Sequence, residues 1–221
     1  MNSPLVSKAL MHPASKPVLF VASLLPLAWL VYGVVTDNLG ANPAEHLIRS
    51  LGDWTLRFLC LTLAVTPLRV VSGTPALARF RRMLGLFVYF YAFMHLLGYA
   101  IFDMQLDAGD IARDIAKRPF ILVGFASFVL LTPLALTSFN KAVKAMGARR
   151  WQMLHKLVYM IAGLSILHFF WMRAGKNDFS EVAVYAAILS VLLGWRVVHH
   201  FRTKARGARG ASDRQASRVR G

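Results

Sequence analysis

The sequence predicts an all-α membrane protein, a bundle of six transmembrane helices with both termini in the cytoplasm. Of its 221 residues, 57% are hydrophobic and only 16% are charged, and its mean hydropathy is +0.50. A soluble domain of this length carries more charge. Apolar runs long enough to cross a bilayer recur along most of the chain, and the loops between them alternate in charge.

The apolar runs define the domain organisation. They cover approximately residues 17–36, 50–70, 84–102, 119–137, 151–171 and 180–201. The first run lacks a small-residue cleavage site, so it is interpreted as a span rather than a removable signal. The sequence therefore predicts an N-terminal cytoplasmic segment 1–16, one six-helix domain 17–201, and a basic, disordered cytoplasmic tail 202–221.

The charges of the loops predict the orientation. Lys and Arg dominate the N-terminal segment, the loops after spans 2 and 4, and the tail, whereas the other three loops hold most of the Asp and Glu. The positive-inside rule then places both termini in the cytoplasm. The net charge of +16 is largely this topological signal plus the tail, which we expect to lie against anionic lipid headgroups rather than nucleic acid.

Several kinds of chemistry are not indicated. The single cysteine, Cys60, lies in an apolar run and excludes an intrachain disulfide or a thiolate cluster. The sequence contains no Gly-rich phosphate loop, no nucleotide-binding pattern and no zinc-type spacing, and it leaves no room for a soluble catalytic domain. A redox role would therefore depend on partner proteins.

Three histidines lie inside predicted spans, where an imidazole is costly unless it meets a polar partner or a metal. His95 is eight residues before Asp103, and His168 is five residues before Arg173, in spans that run in the same direction. The two imidazoles thus lie at similar depth, as the axial ligands of a b-type haem between neighbouring helices would. The alternative is that they form hydrogen bonds between helices.

The third histidine, His155, lies thirteen residues before His168, which is about 20 Å along a helix toward the cytoplasmic side. It is a candidate ligand of a second, inner haem or a polar residue at headgroup level. His199 and His200 end span 6 and could supply another inner ligand, although an interfacial cap among basic residues is the preferred interpretation.

Arg57 is a charged residue near the predicted depth of His95 and His168. A charge at this depth needs a counter-ion. A haem propionate could serve, because a carboxylate forms a bidentate pair with a guanidinium group. The alternatives are that Arg57 reaches the outer headgroups or pairs with Asp53 one turn earlier.

The order of short motifs along residues 15–200 resembles the MsrQ family, formerly called YedZ, within the ferric-reductase-like transmembrane group. The matching segments are Asn42-Pro43 with Glu45, residues 52–57, residues 63–69, residues 81–86, His95, residues 118–120, residues 134–138, Trp151, residues 154–157, Tyr159 and His168. His95, His155 and His168 match the family's membrane histidines, whereas Gly85 departs from the two histidine pairs of the larger group.

This resemblance implies a multi-pass protein of the bacterial inner membrane that binds haem b, once or twice, and FMN. It implies electron transfer from the quinone pool or a cytosolic flavin reductase to MsrP, a periplasmic molybdenum-containing methionine sulfoxide reductase. The chain would then be an electron-transfer subunit, and its partner would reduce the substrate. The alternatives are a ferric reductase or b561-like quinol carrier, and a non-redox assembly or transport protein with structural histidines.

Overall fold

The computed structural model describes residues 4–175 and 177–219, and this part of the chain is helical without any strand. In chain order the helices are α1 Pro4–Met11, α2 Ser15–Val35, α3 Pro43–Val71, α4 Arg81–Gly98, α5 Ala108–Lys117, α6 Pro119–Leu136, α7 Asn140–Met146, α8 Ala148–His155, α9 Leu157–Ala174 and α10 Ser180–Val219. A 3₁₀ turn, Pro75–Phe80, leads into α4, and a π-helical turn, Tyr99–Asp103, continues from it.

Six segments of the described chain are long and apolar enough to cross a membrane, which confirms the predicted number of spans. They are Ser15–Val35, Pro43–Val71, Pro75–Asp103, Pro119–Leu136, Ala148–Ala174 and Ser180–Ala205, with mean hydropathies between 1.4 and 2.3. The protein is therefore a multi-pass membrane protein.

The second span begins earlier than its apolar run because it has a strong N-terminal cap. The side chain of Asn42 accepts a hydrogen bond from the Glu45 N–H at 3.2 Å, and Pro43 occupies the first turn. This cap starts α3 seven residues before the predicted span at residue 50. The extra turns become part of the cavity described below.

The helices pack as two main pairs, α3 with α4 and α6 with α9, while α4 also contacts α6 and α10 contacts α3. The centre of the first pair is aromatic. Phe58 stacks on Tyr91 at 5.1 Å and on Phe87 at 5.5 Å between ring centroids, and Tyr91 is completely buried. Since lipid tails are as apolar as these side chains, close packing of this kind holds the pair together.

The two ends of the bundle differ in charge. The acidic end carries the loops at residues 36–42, 99–118 and 175–179, with the amphipathic helix α5. The basic end carries the loops at residues 72–80 and 137–147, and the first turn of α4 meets the second loop where Arg82 donates to Asn140 at 2.7 Å. The backbone of α10 is helical to Val219 and so includes most of the predicted tail from residue 202. The segment is rich in Ala and Arg and lacks proline, so it favours a helix.

Candidate functional site

His95 on α4 and His168 on α9 lie side by side inside the bundle. Their ring centroids are 6.2 Å apart, and the ring planes meet at 78°. The helices α4 and α9 are not neighbours in sequence, and contacts of α4 with α6 and of α6 with α9 bring the two rings together. The predicted match in depth between these two histidines thus corresponds to direct proximity.

Both imidazoles are oriented in the same way. The Nδ1 of His95 lies 2.8 Å from the carbonyl oxygen of Ile48, and the Nδ1 of His168 lies 2.6 Å from the carbonyl oxygen of Phe120. A carbonyl oxygen only accepts, so Nδ1 carries the proton in each ring and Nε2 keeps its lone pair. A backbone carbonyl that fixes Nδ1 in this way is typical of histidines that bind a metal through Nε2.

A glycine lies against each ring, which the sequence reasoning missed. A Cβ atom added to Gly52 on α3 would be 3.2 Å from His95 Cε1, and one added to Gly124 on α6 would be 2.7 Å from His168 Nδ1. Each glycine stands four residues after the carbonyl that holds the same ring, Ile48 or Phe120. Gly52 lies nine residues after the start of α3 and Gly124 five residues after the start of α6, so no shared position along the helices marks them in the sequence.

The rings border a cavity of about 530 Å³, which is within the size range of cofactor sites. Its walls are mostly apolar or aromatic and come from α3, α4, α6 and α9. They include Leu59, Val88, Phe128, Leu131, Ile161 and Phe169. The cavity reaches the acidic end of the bundle, where polar side chains line its mouth.

The spacing of the rings fits a metal ion between them. Metal–imidazole bonds are about 2.0 Å long, so two opposed rings sharing one metal have centroids about 6 Å apart once the ring radii are added. The observed 6.2 Å agrees with this value. The described residues contain no group of three or more His, Cys, Asp and Glu side chains that could hold a metal ion. The pair therefore suits a metal whose remaining ligands come from a macrocycle.

Two arginines line the mouth of the cavity, and each is held by a carboxylate one turn earlier. Arg49 pairs with Glu45 on α3, and Arg118 pairs with Asp114 at 2.8 Å. Asp114 also accepts a hydrogen bond from the Tyr99 hydroxyl at 2.7 Å. Each guanidinium has five N–H donors, so both retain donors for a further anion.

Arg57 lies elsewhere, on a different face of α3. Its Nε donates to the hydroxyl of Tyr185 at 3.1 Å, and its guanidinium carbon is 4.6 Å from the centre of the Trp54 ring. It borders a groove beside α2 rather than the cavity of the histidines. Five residues after Gly52, it points about 140° away around the helix, so the propionate contact predicted for Arg57 loses its geometric basis.

His155 does not join the pair. It ends α8, its Nδ1 lies 3.0 Å from the Trp151 carbonyl oxygen, and its ring stacks on Trp151 with centroids 3.8 Å apart. Its Nε2 is buried and makes no hydrogen bond of standard geometry within the described part of the chain, although the Leu134 carbonyl lies near the ring. His199 and His200 are exposed, and His199 stacks on Trp195.

The fold and the paired intramembrane histidines are those of a class of multi-pass proteins, the class of ferric-reductase-like transmembrane components. The family model described as "Ferric reductase like transmembrane component" matches residues 51–166. That segment includes His95 and His155, and His168 follows it by two residues.

Relatives identify the branch of this class. A protein of Polaromonas naphthalenivorans, named protein-methionine-sulfoxide reductase heme-binding subunit MsrQ, is 71% identical and covers 90% of each chain. Proteins with the same name from Herminiimonas arsenicoxydans and Ralstonia nicotianae are 52% and 51% identical, over 90% and 88% of this chain and 92% and 90% of theirs. The chain belongs to the MsrQ family. No solved structure matches it.

Proposed function

We propose that this protein is a haem b electron-transfer subunit of a methionine sulfoxide reductase system in the bacterial inner membrane. The observation that carries the proposal is the pair His95 and His168, with ring centroids 6.2 Å apart and both Nδ1 atoms bonded to carbonyls. Relatives with this fold are named haem-binding subunits of protein-methionine-sulfoxide reductases.

The residues of this chain have separate tasks in the proposal. Haem, when bound, carries one electron at a time. His95 and His168 would both hold the haem iron through Nε2, and a haem held by two imidazoles suits electron transfer rather than chemistry on a substrate. Arg49 and Arg118 would hold the two propionates at the mouth, and the apolar wall would exclude water from the cavity.

The direction of electron transfer follows from the proposed orientation, with both termini in the cytoplasm. The haem pair then lies toward the periplasmic side, near the acidic end of the bundle. The proposed acceptor is MsrP, the periplasmic molybdenum-containing reductase, where two electrons and two protons convert a methionine sulfoxide to methionine and water. The proposed donor is the quinone pool or a cytosolic flavin reductase.

A second cofactor site is proposed at the basic end. The buried Nε2 of His155 makes no hydrogen bond of standard geometry among the described residues, with the Leu134 carbonyl near the ring. Such a nitrogen suits a ligand of a second, inner haem. The arginines of the same end, including Arg81 and Arg82, offer charge for the phosphate of FMN. In His155→Ala we expect less haem per chain while the spectrum of the His95–His168 site persists. An unchanged haem content would exclude His155 as a ligand.

Spectroscopy of the purified chain tests the main proposal. We expect a Soret band and a reduced α-band of low-spin, bis-imidazole haem after expression with ample haem, and we expect its loss in His95→Ala and in His168→Ala. His46→Ala, an exposed histidine outside the cavity, serves as the matched control. A colourless wild-type protein would contradict the proposal and favour a non-redox membrane protein with structural histidines.

The acceptor needs a separate test. Reduced protein in nanodiscs should be reoxidised by an oxidised molybdenum-containing methionine sulfoxide reductase faster than by ferric citrate. The opposite order would favour the alternative of a ferric reductase.

A further inference from the structure

A groove opens beside the cavity of His95 and His168, on the other side of α3. It has a volume of about 1050 Å³ and lies between α2 and α3. Its apolar part is formed by residues of α2, and its polar part by residues of α3. The lining includes Leu25, Ala28 and Trp29 on the first helix and Ser50, Asp53 and Arg57 on the second.

The groove is open toward the lipid. Trp29 and Tyr32, on its α2 wall, expose 70% and 56% of their surface, although they belong to a membrane-spanning helix. Tyr91 connects α2 to the core through two hydrogen bonds. Its hydroxyl accepts one from the Leu27 N–H at 3.2 Å and donates one to the Ser23 carbonyl at 2.8 Å. The site is thus reachable by molecules dissolved in the bilayer.

Asp53 connects the groove with the cavity, since it lines both. Its neighbour Gly52 lies against the His95 ring on the cavity side. The two spaces are therefore separated by little more than the backbone of α3, and the diameter of a helix with its side chains is about 10 Å. A redox-active molecule in the groove would be close to the proposed haem.

We propose that this groove binds a lipid-soluble quinol and that Asp53 accepts its protons, an assignment that rests on the proposed function. The hydrocarbon tail would lie along α2, and the ring would lie near Trp54 with its hydroxyls toward Asp53 and Arg57. The quinol would be oxidised to the quinone in two one-electron steps, with the haem held by His95 and His168 as the electron acceptor in each step, and each electron would then pass on to the acceptor protein. The two protons pass in turn to the Asp53 carboxylate and then to water at the acidic end.

The charges in the groove favour a quinol over a phospholipid headgroup. A phosphate would meet the carboxylate of Asp53, whereas a quinol hydroxyl can donate a hydrogen bond to it. Arg57 is already engaged by Tyr185 and Trp54, which reduces what it offers to a phosphate.

Haem reduction by decylubiquinol, a short-chain quinol, tests the site in full-length protein in nanodiscs. The rate of appearance of the reduced α-band is measured anaerobically. We expect Asp53→Asn to slow reduction by about a hundredfold, since a positioned proton acceptor contributes about that much. Ala28→Trp, which fills the groove, should also slow it. The haem of Asp178→Asn and of Val191→Trp, which change exposed positions outside the groove, should be reduced at the wild-type rate.

The artificial reductant dithionite separates this proposal from the proposed function. If dithionite produces the full reduced spectrum but decylubiquinol does not reduce the wild type, the quinol site is overturned. It is equally overturned if Ala28→Trp, with its haem intact, is reduced as fast as the wild type, and this variant decides the matter should Asp53→Asn lose its haem. Absence of any haem spectrum would instead contradict the proposed function.

Discussion

At the scale of single residues, the histidine pair depends on two glycines that have no chemistry of their own. Gly52 and Gly124 allow helices α3 and α6 to approach the rings of His95 and His168 closely. The same helices then offer the Ile48 and Phe120 carbonyls to the Nδ1 atoms. Ring position and tautomer are therefore set by backbone atoms, which are less free to move than side chains.

Gly124→Ala should disturb the site more than Gly52→Ala. A Cβ at residue 124 would lie 2.7 Å from His168 Nδ1, which forces the ring to move, whereas the closest approach at residue 52 is 3.2 Å. We expect Gly124→Ala to weaken haem binding by about 10- to 100-fold, as other outer-shell changes do. Haem titration of the apoprotein, followed by the Soret band, measures this.

Gly163→Ala is the matched control, since it lies on α9 with His168 and an added Cβ there has no neighbour within 4 Å. Equal haem affinity in the Gly124 and Gly163 variants would show that the close approach does not matter.

The arginines at the cavity mouth can be tested with haem dimethyl ester, which lacks the propionate charges. The wild type should bind the ester more weakly than haem, because Arg49 and Arg118 lose their anionic partners. In the double variant Arg49→Gln/Arg118→Gln, haem should bind more weakly than to the wild type. The difference in affinity between haem and its dimethyl ester should also become smaller. Competitive binding of the two porphyrins measures both effects.

Arg113→Gln provides the comparison, since Arg113 pairs with Asp110 on α5 at 2.6 Å and does not line the cavity. If the double variant discriminates between haem and ester as well as this control does, the two arginines do not bind propionates.

At the scale of elements, α2 has few contacts with the rest of the bundle, and the Tyr91 hydroxyl is one of its attachments. This hydroxyl lies between the Ser23 carbonyl and the Leu27 N–H. In an unbroken α-helix these two groups would form a direct hydrogen bond. Pro26 lies within the same turn. An inserted side chain next to a proline is a recognised cause of helix kinks.

Tyr91→Phe should therefore destabilise the protein by about 1–3 kcal/mol, the usual cost of leaving buried polar groups without a partner. The phenyl ring keeps the stacking on Phe58, so the change isolates the hydroxyl. Thermal unfolding in detergent measures the difference. Tyr32→Phe, at an exposed position of α2, is the control, and equal melting temperatures of the two variants would rule out the proposed attachment.

At the scale of the whole molecule, the charge difference between the two ends predicts the orientation in the membrane. Arg and Lys are concentrated at the termini and at the loops of the basic end, so we expect that end in the cytoplasm. Green fluorescent protein fused after Gly221 should fluoresce, and alkaline phosphatase inserted after Gln105, in an acidic loop, should be active. An active phosphatase at the C-terminus would reverse the orientation and place the His95–His168 pair on the cytoplasmic side.

The sequence by itself determined the features that depend on composition and periodicity. Six apolar runs predict six spans because the bilayer requires a minimum helix length, and the described part of the chain has six such segments. Position along two spans running in the same direction also sufficed to pair His95 with His168 rather than with His155. The ordered motifs indicated the family that the relatives confirm.

The tertiary structure decided which face of each helix meets which neighbour. Depth along a span can be counted from its ends, but rotation about the helix axis depends on packing, and an apolar span has no polar face to reveal it. For this reason depth alone did not place Arg57, which lies in the groove beside α2 and contacts Tyr185. Arg49, on α3, and Arg118, the N-cap of α6, line the cavity of the histidines instead. Helix packing orients them toward it, as it orients Gly52 and Gly124 toward the histidine rings.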